Sequence, residues 1–301
     1  MDWKFRPFKV PLNDGSTRHH FIPEYFIKGF ADDRGKLVMY DKQKDSILPG
    51  AKSPKQLFYT TLGNASRTNG TTNTIAETMY SQLDIRENEF IKEFLSCPNV
   101  EGGISTDLHS YMHLFMVNQY FRVPSNEAKY DAIYASAPGW ARQYKEMPEL
   151  MKKLEGDETM KRLSRVFLPF DLFMNLLSEA KGKEVHKVYE PGAQSLVLTD
   201  NPVVFLQEPF VADDILRPCM LAVSKNRLCV VDNEPSLEKP REAAMAYNAM
   251  AIEQANRIVC ASNMTVLKAM VELWKGLRKR GFFPLMRNQA YRIMTQRPVE
   301  V

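Results

Sequence analysis

Residues 106–122, TDLHSYMHLFMVNQYFR, predict a helix that is apolar on almost every side. Such a helix has no solvent face and has to be enclosed by other elements. A chain of 301 residues is long enough to enclose it. Pro124 stops the helix near Arg122, because proline disfavours helical geometry in the residue before it.

Around this helix the hydrophobic period changes. Residues 1–72 read as irregular and β-rich, with a strand at Lys36–Lys42 after the turn signal Asp32-Asp33-Arg34-Gly35. Residues 73–185 read as the helical bulk. It opens on Thr74-Ile75-Ala76-Glu77, a T-x-x-E capping box, and Ile75, Met79, Leu83, Phe90 and Phe94 recur at helical spacing from about Thr74 to Leu95. Further helical patterns fall at Glu149–Phe167 and Phe170–Ala180.

Residues 195–232 revert to a period of two and read as a small sheet. SLVLTDNPVVF is two strand-like runs, and CMLAVSKNRLCVV is a hairpin turning at Lys225-Asn226. Residues 241–295 return to helix, over Arg241–Ala261 and Met264–Arg280. No internal repeat or long linker separates these stretches. The expected fold is a single α+β domain, mostly helical, with a small mainly antiparallel sheet.

Bulk properties exclude several classes. A net charge of +4 is too weak by itself to imply nucleic acid. Cys97, Cys219, Cys229 and Cys260 include no C-x-x-C pair, so zinc knuckles and redox dithiols lose support and buried reduced thiols are expected. No apolar window reaches the length of a membrane span, and MDWKFRPFKVPLNDG lacks the apolar core of a signal peptide. The expected location is cytoplasmic.

Against that background, RHHFIPEYF places His19 and His20 together in a chain with five histidines. On an extended segment they point to opposite sides, so one can face a cleft while the other packs or caps. Histidine suits proton transfer near neutral pH. The pattern H-H-x-x-P is shared with ββα-metal nucleases, but the metal-binding helix and downstream ligands that those need do not follow.

Further candidates lie along the chain. His109 and His113 share one helical stripe, where H-S-x-x-H lacks the glutamate of a metalloprotease, and they read as core histidines. Asn118 and Arg122 occupy a nearly opposite stripe. An arginine closing an apolar helix needs an anion, either Asp200 or a substrate phosphate or carboxylate. Thr199-Asp200-Asn201-Pro202 ends a strand, where carboxylates serve either a local turn or a site. From Lys275 to Arg292, KGLRKRGFFPLMRNQAYR, six basic residues stand without an acidic one. Lys275, Arg278, Lys279 and Arg280, with Phe282, Phe283 and Tyr291 interleaved, could grip RNA or DNA or simply complement a helix end.

The sequence HHFIPEYFIKGFADDRGKLVMYDK resembles the opening of the uncharacterised bacterial family called domain of unknown function 4238. The likeness continues through the capped helix at Glu77 and an F-x-x-x-Q-x-x-R-x-P form met by Phe115, Gln119, Arg122 and Pro124. It reaches TDNPV at Thr199–Val203 and YNAMAIEQANRIVCAS, which carries Asn248 and Arg257. The resemblance implies that His20, Arg122, Asp200 and Asn201 belong to one pattern, and such residues tend to converge on a site. It implies no reaction.

The leading expectation is a hydrolase acting on phosphodiesters, RNA first. His20, with or without His19, is acid or base, Arg122 stabilises phosphate charge, and Asp200 with Asn201 orients histidine or substrate. A metal-dependent variant takes a divalent ion on Asp200, Glu77 and a histidine. The competing expectation is a binding or regulatory protein in which the cluster is a structural polar core or an anion-recognition site.

Overall fold

A computed structural model of the chain describes residues 17–68, 71–96, 106–136, 185–189, 196–207, 217–232 and 240–295, with scattered positions between 159 and 215. The chain forms a single α+β domain of helices and small antiparallel sheets. Phe170–Ala180 and most of Glu149–Phe167 lie outside the described residues, as does Cys97.

The N-terminal part contributes β1 (Arg18–His20), α1 (Glu24–Lys28), β2 (Val38–Asp41), β3 (Ser46–Ile47), β4 (Tyr59–Thr61), β5 (Ser66–Thr68) and β6 (Thr71–Asn73). Two long helices follow, α2 (Ile75–Ser96) and α3 (Thr106–Arg122), then a 3-10 turn at Pro124–Asn126 and α4 (Glu127–Ser136). After β7 (Val185–Tyr189), β8 (Leu198–Thr199) and β9 (Val204–Phe205) come the hairpin β10 (Cys219–Ser224) and β11 (Arg227–Asp232). The chain ends in α5 (Pro240–Gln254), β12 (Ile258–Ala261), α6 (Met264–Lys279) and α7 (Phe283–Thr295).

Two four-stranded sheets replace the one small sheet expected. One runs β7-β11-β10-β9 and the other β3-β2-β12-β8. The second sheet corrects the helix expected over Arg241–Ala261, which stops at Gln254, after which Ile258–Ala261 pairs with both Val38–Asp41 and Leu198–Thr199. The reason is composition: Ile258-Val259-Cys260 is a β-branched, apolar run after the turn-forming Asn256, and it fills a gap between two strands.

Helix α3 is enclosed as its sequence requires, with Met112, Phe115, Met116, Val117, Tyr120 and Phe121 all buried in the main core. The α6 face Leu267, Val271 and Trp274 packs with Tyr40 and Val259 in a second apolar cluster. Asn263 caps α6 by accepting the Val266 N–H at 2.9 Å. Gly281 then takes φ +69°, the left-handed turn that lets the chain reverse into α7. No described helix is long and apolar enough to cross a membrane.

Candidate active site

Helix α2 carries Glu77, Tyr80, Asp84, Glu87, Ile91 and Phe94 at steps of three and four, which places them on one stripe. The stripe is polar over its first turns and apolar over its last. The apolar end joins the main core. The polar end faces Asn118, Gln119 and Arg122 of α3 and the β1–α1 segment that holds His19, His20 and Tyr25.

Arg122 is the centre of this seam. Its side chain is 2% exposed, and both terminal nitrogens bond to the Asp84 carboxylate, Nη2 to Oδ2 at 3.1 Å. Its Nε donates to the His20 carbonyl at 3.1 Å, and its guanidinium lies 4.5 Å from the centroid of the Tyr80 ring. Burial works against the charged guanidinium, but Asp84 and Glu87 more than offset it, so its pKa is raised. The partner expected for Arg122 was Asp200; the structure supplies Asp84 instead.

Glu87 sits in a cradle of donors. Tyr25 Oη donates to Oε2 at 2.9 Å, Asn118 Nδ2 to Oε1 at 2.8 Å, and Gln119 Nε2 approaches Oε2 at 3.5 Å. Burial, with the Asp84 charge second, pushes the Glu87 pKa up to about 7 against the pull of Arg122 and the cradle. Burial also raises Tyr25, with Glu87 and Asp84 adding to it, and holds Tyr80 at about 12. The Asp84 carboxylate acts on His20, Tyr25, Glu77, Tyr80, Glu87 and Arg122 alike, so one charge couples the whole cluster.

The two histidines of β1 diverge, as alternation on a strand requires. His19 is buried, and its Nδ1 accepts the Asn64 N–H at 3.0 Å, which makes it the Nε2–H tautomer. Its Nδ1 also lies 3.8 Å from the Glu77 carboxylate. Glu77 accepts from Asn64 Nδ2 at 2.7 Å, and burial raises its pKa despite that bond. His20 interacts with the Lys55 backbone, while its Nε2 is buried and without a hydrogen-bond partner. With the proton on Nδ1, the neutral ring offers Nε2 as an acceptor. Burial lowers the His20 pKa, with Arg122 adding to the shift and Glu24 and Asp84 opposing it.

The strand paired with this segment is flanked by strained residues. Strand β4, which pairs with β1 in the register His20↔Tyr59, lies between Phe58 and Leu62, both at positive φ (52° and 53°). Bulky side chains pay for that geometry. Phe58 uses it to aim its carbonyl at the N–H of Phe21, at 2.9 Å, directly after His20.

The remaining expected residues form a second, separate cluster around β12. Asp200 accepts three backbone N–H groups, from Asn256, Arg257 and Ile258, at 2.8–2.9 Å. It fastens the turn into β12, and this corrects its expected role as the partner of Arg122. Asn201 exchanges hydrogen bonds with Asn126, beside the end of α3. Arg257 pairs with the fully buried Asp41 at 2.9 Å, and Asn248 accepts the Val197 N–H at 3.0 Å. Lys275 pairs with Asp45. Arg278, Lys279 and Arg280 stand exposed at the end of α6. Buried His113 meets the Ile215 carbonyl through Nε2 at 2.9 Å, and the side chain of His109 lies outside the described residues.

A family model described as a protein of unknown function (DUF4238) matches residues 18–265. The chain belongs to the DUF4238 family. No curated protein and no solved structure matches it. The DUF4238 match spans both clusters: the α2–α3 seam with His20, and the clasp around β12.

Asp84, Glu87, Tyr25, Tyr80 and Asn64 escaped sequence reasoning. The signal for most of them was present as the spacing 77-80-84-87, an acidic stripe with the period of a buried face. Among the described residues, no three His, Cys, Asp or Glu side chains are grouped as a metal ion would need. The expected set of Asp200, Glu77 and a histidine is divided: Glu77 lies at the seam and Asp200 is spent on backbone N–H groups at β12.

Proposed function

We propose that the chain is a hydrolase that cleaves phosphodiesters, RNA first among them, through proton transfer by His20 and Glu87. The observation that carries this reading is the buried His20 Nε2, which has no hydrogen-bond partner. The direction of the two pKa shifts assigns the roles. His20, held low, is neutral and serves as base; Glu87, at about 7, keeps a proton to give and serves as acid.

In the proposed step a ribose 2′-hydroxyl passes its proton to His20 Nε2 as its oxygen bonds to phosphorus. The P–O5′ bond breaks, and Glu87 gives its proton to the departing oxygen. Water then opens the cyclic phosphate with the two roles reversed. Arg122 acts here as a positioning residue: its Nε and both terminal nitrogens are committed to the His20 carbonyl and Asp84. The proposed place of work is the cytoplasm, in keeping with buried Cys219, Cys229 and Cys260, none of which is in a disulfide.

That same commitment of Arg122 favours a second reading, a non-enzymatic protein in which the seam is a polar core. Cleavage of a fluorophore-labelled single-stranded RNA by the wild type, His20→Ala and Glu87→Gln, with the melting temperature of each, separates the two. The hydrolase reading expects a loss of at least about 100-fold in rate with little change in melting temperature. Wild-type protein inert on RNA, or a His20→Ala variant of full activity, ends it.

A further inference from the structure

The charge of this chain is unevenly distributed. From Leu273 to Val299 there are seven Lys and Arg residues and no Asp or Glu, against a net +4 for all 301 residues. The remainder is therefore net negative, and the α2–α3 seam, with Glu77, Asp84 and Glu87, is among its acidic parts. An anionic substrate approaching that seam needs attraction from elsewhere.

The α6–α7 corner supplies it. Arg278 and Lys279 close α6, Arg280 follows, and all three are exposed with no carboxylate partner among the described residues. The helix dipole accounts for cations in a last turn, but it does not account for an acid-free run that continues into α7. Trp274 gathers two further charges onto one indole, with Lys42 Nζ 5.3 Å and Arg278 5.5 Å from its ring. Lys42 Nζ donates to the carbonyls of Glu253 and Ala255, whereas Arg278 stands exposed with Lys279 and Arg280.

Beside this cationic corner lies a cleft of about 330 Å³ lined by Met250, Glu253, Phe283, Pro284 and Arg287. The two features are joined through Glu253, which accepts the Trp274 Nε1–H at 2.7 Å. A cationic rim and a cleft with an aromatic wall are the two parts of a single-strand nucleic-acid site, one for phosphate and one for a base. The exposed side of α7 argues against a lipid surface: exposed Phe282, Pro284 and Leu285 are confined to its start, and Asn288 and Gln289 are exposed on the next turn, so the apolar surface does not run along the helix.

We propose that the end of α6, through Arg278, Lys279 and Arg280, docks the backbone of single-stranded RNA and seats a base against Phe283 in the adjoining cleft. The inference rests on the phosphodiester reading above for its choice of RNA, and it lies beyond the residues that the family model matches, except for the cleft residues of α5.

The test measures binding apart from cleavage. Full-length protein is titrated against a labelled uridine 12-mer at several salt concentrations, with an Arg278→Glu/Lys279→Glu/Arg280→Glu variant and a Lys268→Glu control at the other end of α6. The expected result is a loss of at least 10-fold in affinity for the triple variant and a salt slope shallower by about two, as loss of three phosphate contacts requires. The control keeps wild-type binding, and melting temperatures show whether each variant is folded. Unchanged affinity in a folded triple variant overturns the proposal, as does tighter binding to vesicles rich in phosphatidylserine than to RNA. Binding through these residues without any cleavage would leave this inference standing and end the hydrolase reading; cleavage indifferent to them would do the reverse.

Discussion

Asp84 and Arg122 meet fork to fork, one carboxylate oxygen to each terminal guanidinium nitrogen, across the seam between α2 and α3. The Asp84 side chain is 25% exposed and that of Arg122 only 2%, so the arginine depends on the aspartate far more than the reverse. Asp84→Ala leaves a buried cation without its partner. The expected cost is about 3 kcal/mol, measured by urea unfolding. Replacing both residues, Asp84→Ala with Arg122→Met, should recover a good part of it. A single-mutant loss below about 1 kcal/mol would mean that the pair behaves as a surface bridge.

Glu87 links stability to pH. Its folded pKa, about 7, lies above the ordinary carboxylate value, so the folded state holds this proton more tightly than the unfolded one. Its contribution is whole below the ordinary value and is lost as pH climbs through about 7. Glu87→Gln removes that dependence. The variant should gain on the wild type by about 1–3 kcal/mol between pH 5 and pH 8 in parallel unfolding curves. A difference independent of pH would contradict the raised value.

If the seam is catalytic, its rate should trace a bell. The ascending limb belongs to His20, below the usual histidine range, and the descending limb to Glu87, near 7. The residual activity of Glu87→Gln should lose the descending limb and keep the ascending one. An optimum in strongly alkaline solution does not fit this pair.

Asp200 should separate folding from function. The residue is 7% exposed and accepts three backbone N–H groups. Asp200→Ala is expected to cost about 2–4 kcal/mol by loosening the turn into β12. Any turnover should survive unchanged in the folded protein, assayed well below its melting temperature. A selective loss of turnover would return Asp200 to the chemistry.

Much of the architecture could be read from hydrophobic period. The helix over Thr106–Arg122 has the bounds its pattern and Pro124 dictate, and the Cys219–Asp232 hairpin turns at Lys225-Asn226 as expected. Strand β12 was hidden because Ile258–Ala261 continues the apolar run of a long helix, and only its neighbours in space decide between the two. The site was legible as residue types and not as partnerships. His20 and Arg122 do touch, yet a sequence offers no way to choose Asp84 over Asp200 as the counter-ion. Burial, which sets the state of Glu87, belongs to tertiary packing.

The strand order β3-β2-β12-β8 has a consequence for how the protein is made. Val38–Asp41 leaves the ribosome well before its neighbour in the sheet, Ile258–Ala261, is translated. Until then an N-terminal strand waits with one edge open, and contacts so distant in sequence close slowly. A nascent chain halted before Ile258 would present that edge to other chains, so truncated products should be lost to aggregation or degradation rather than persist as a shorter domain.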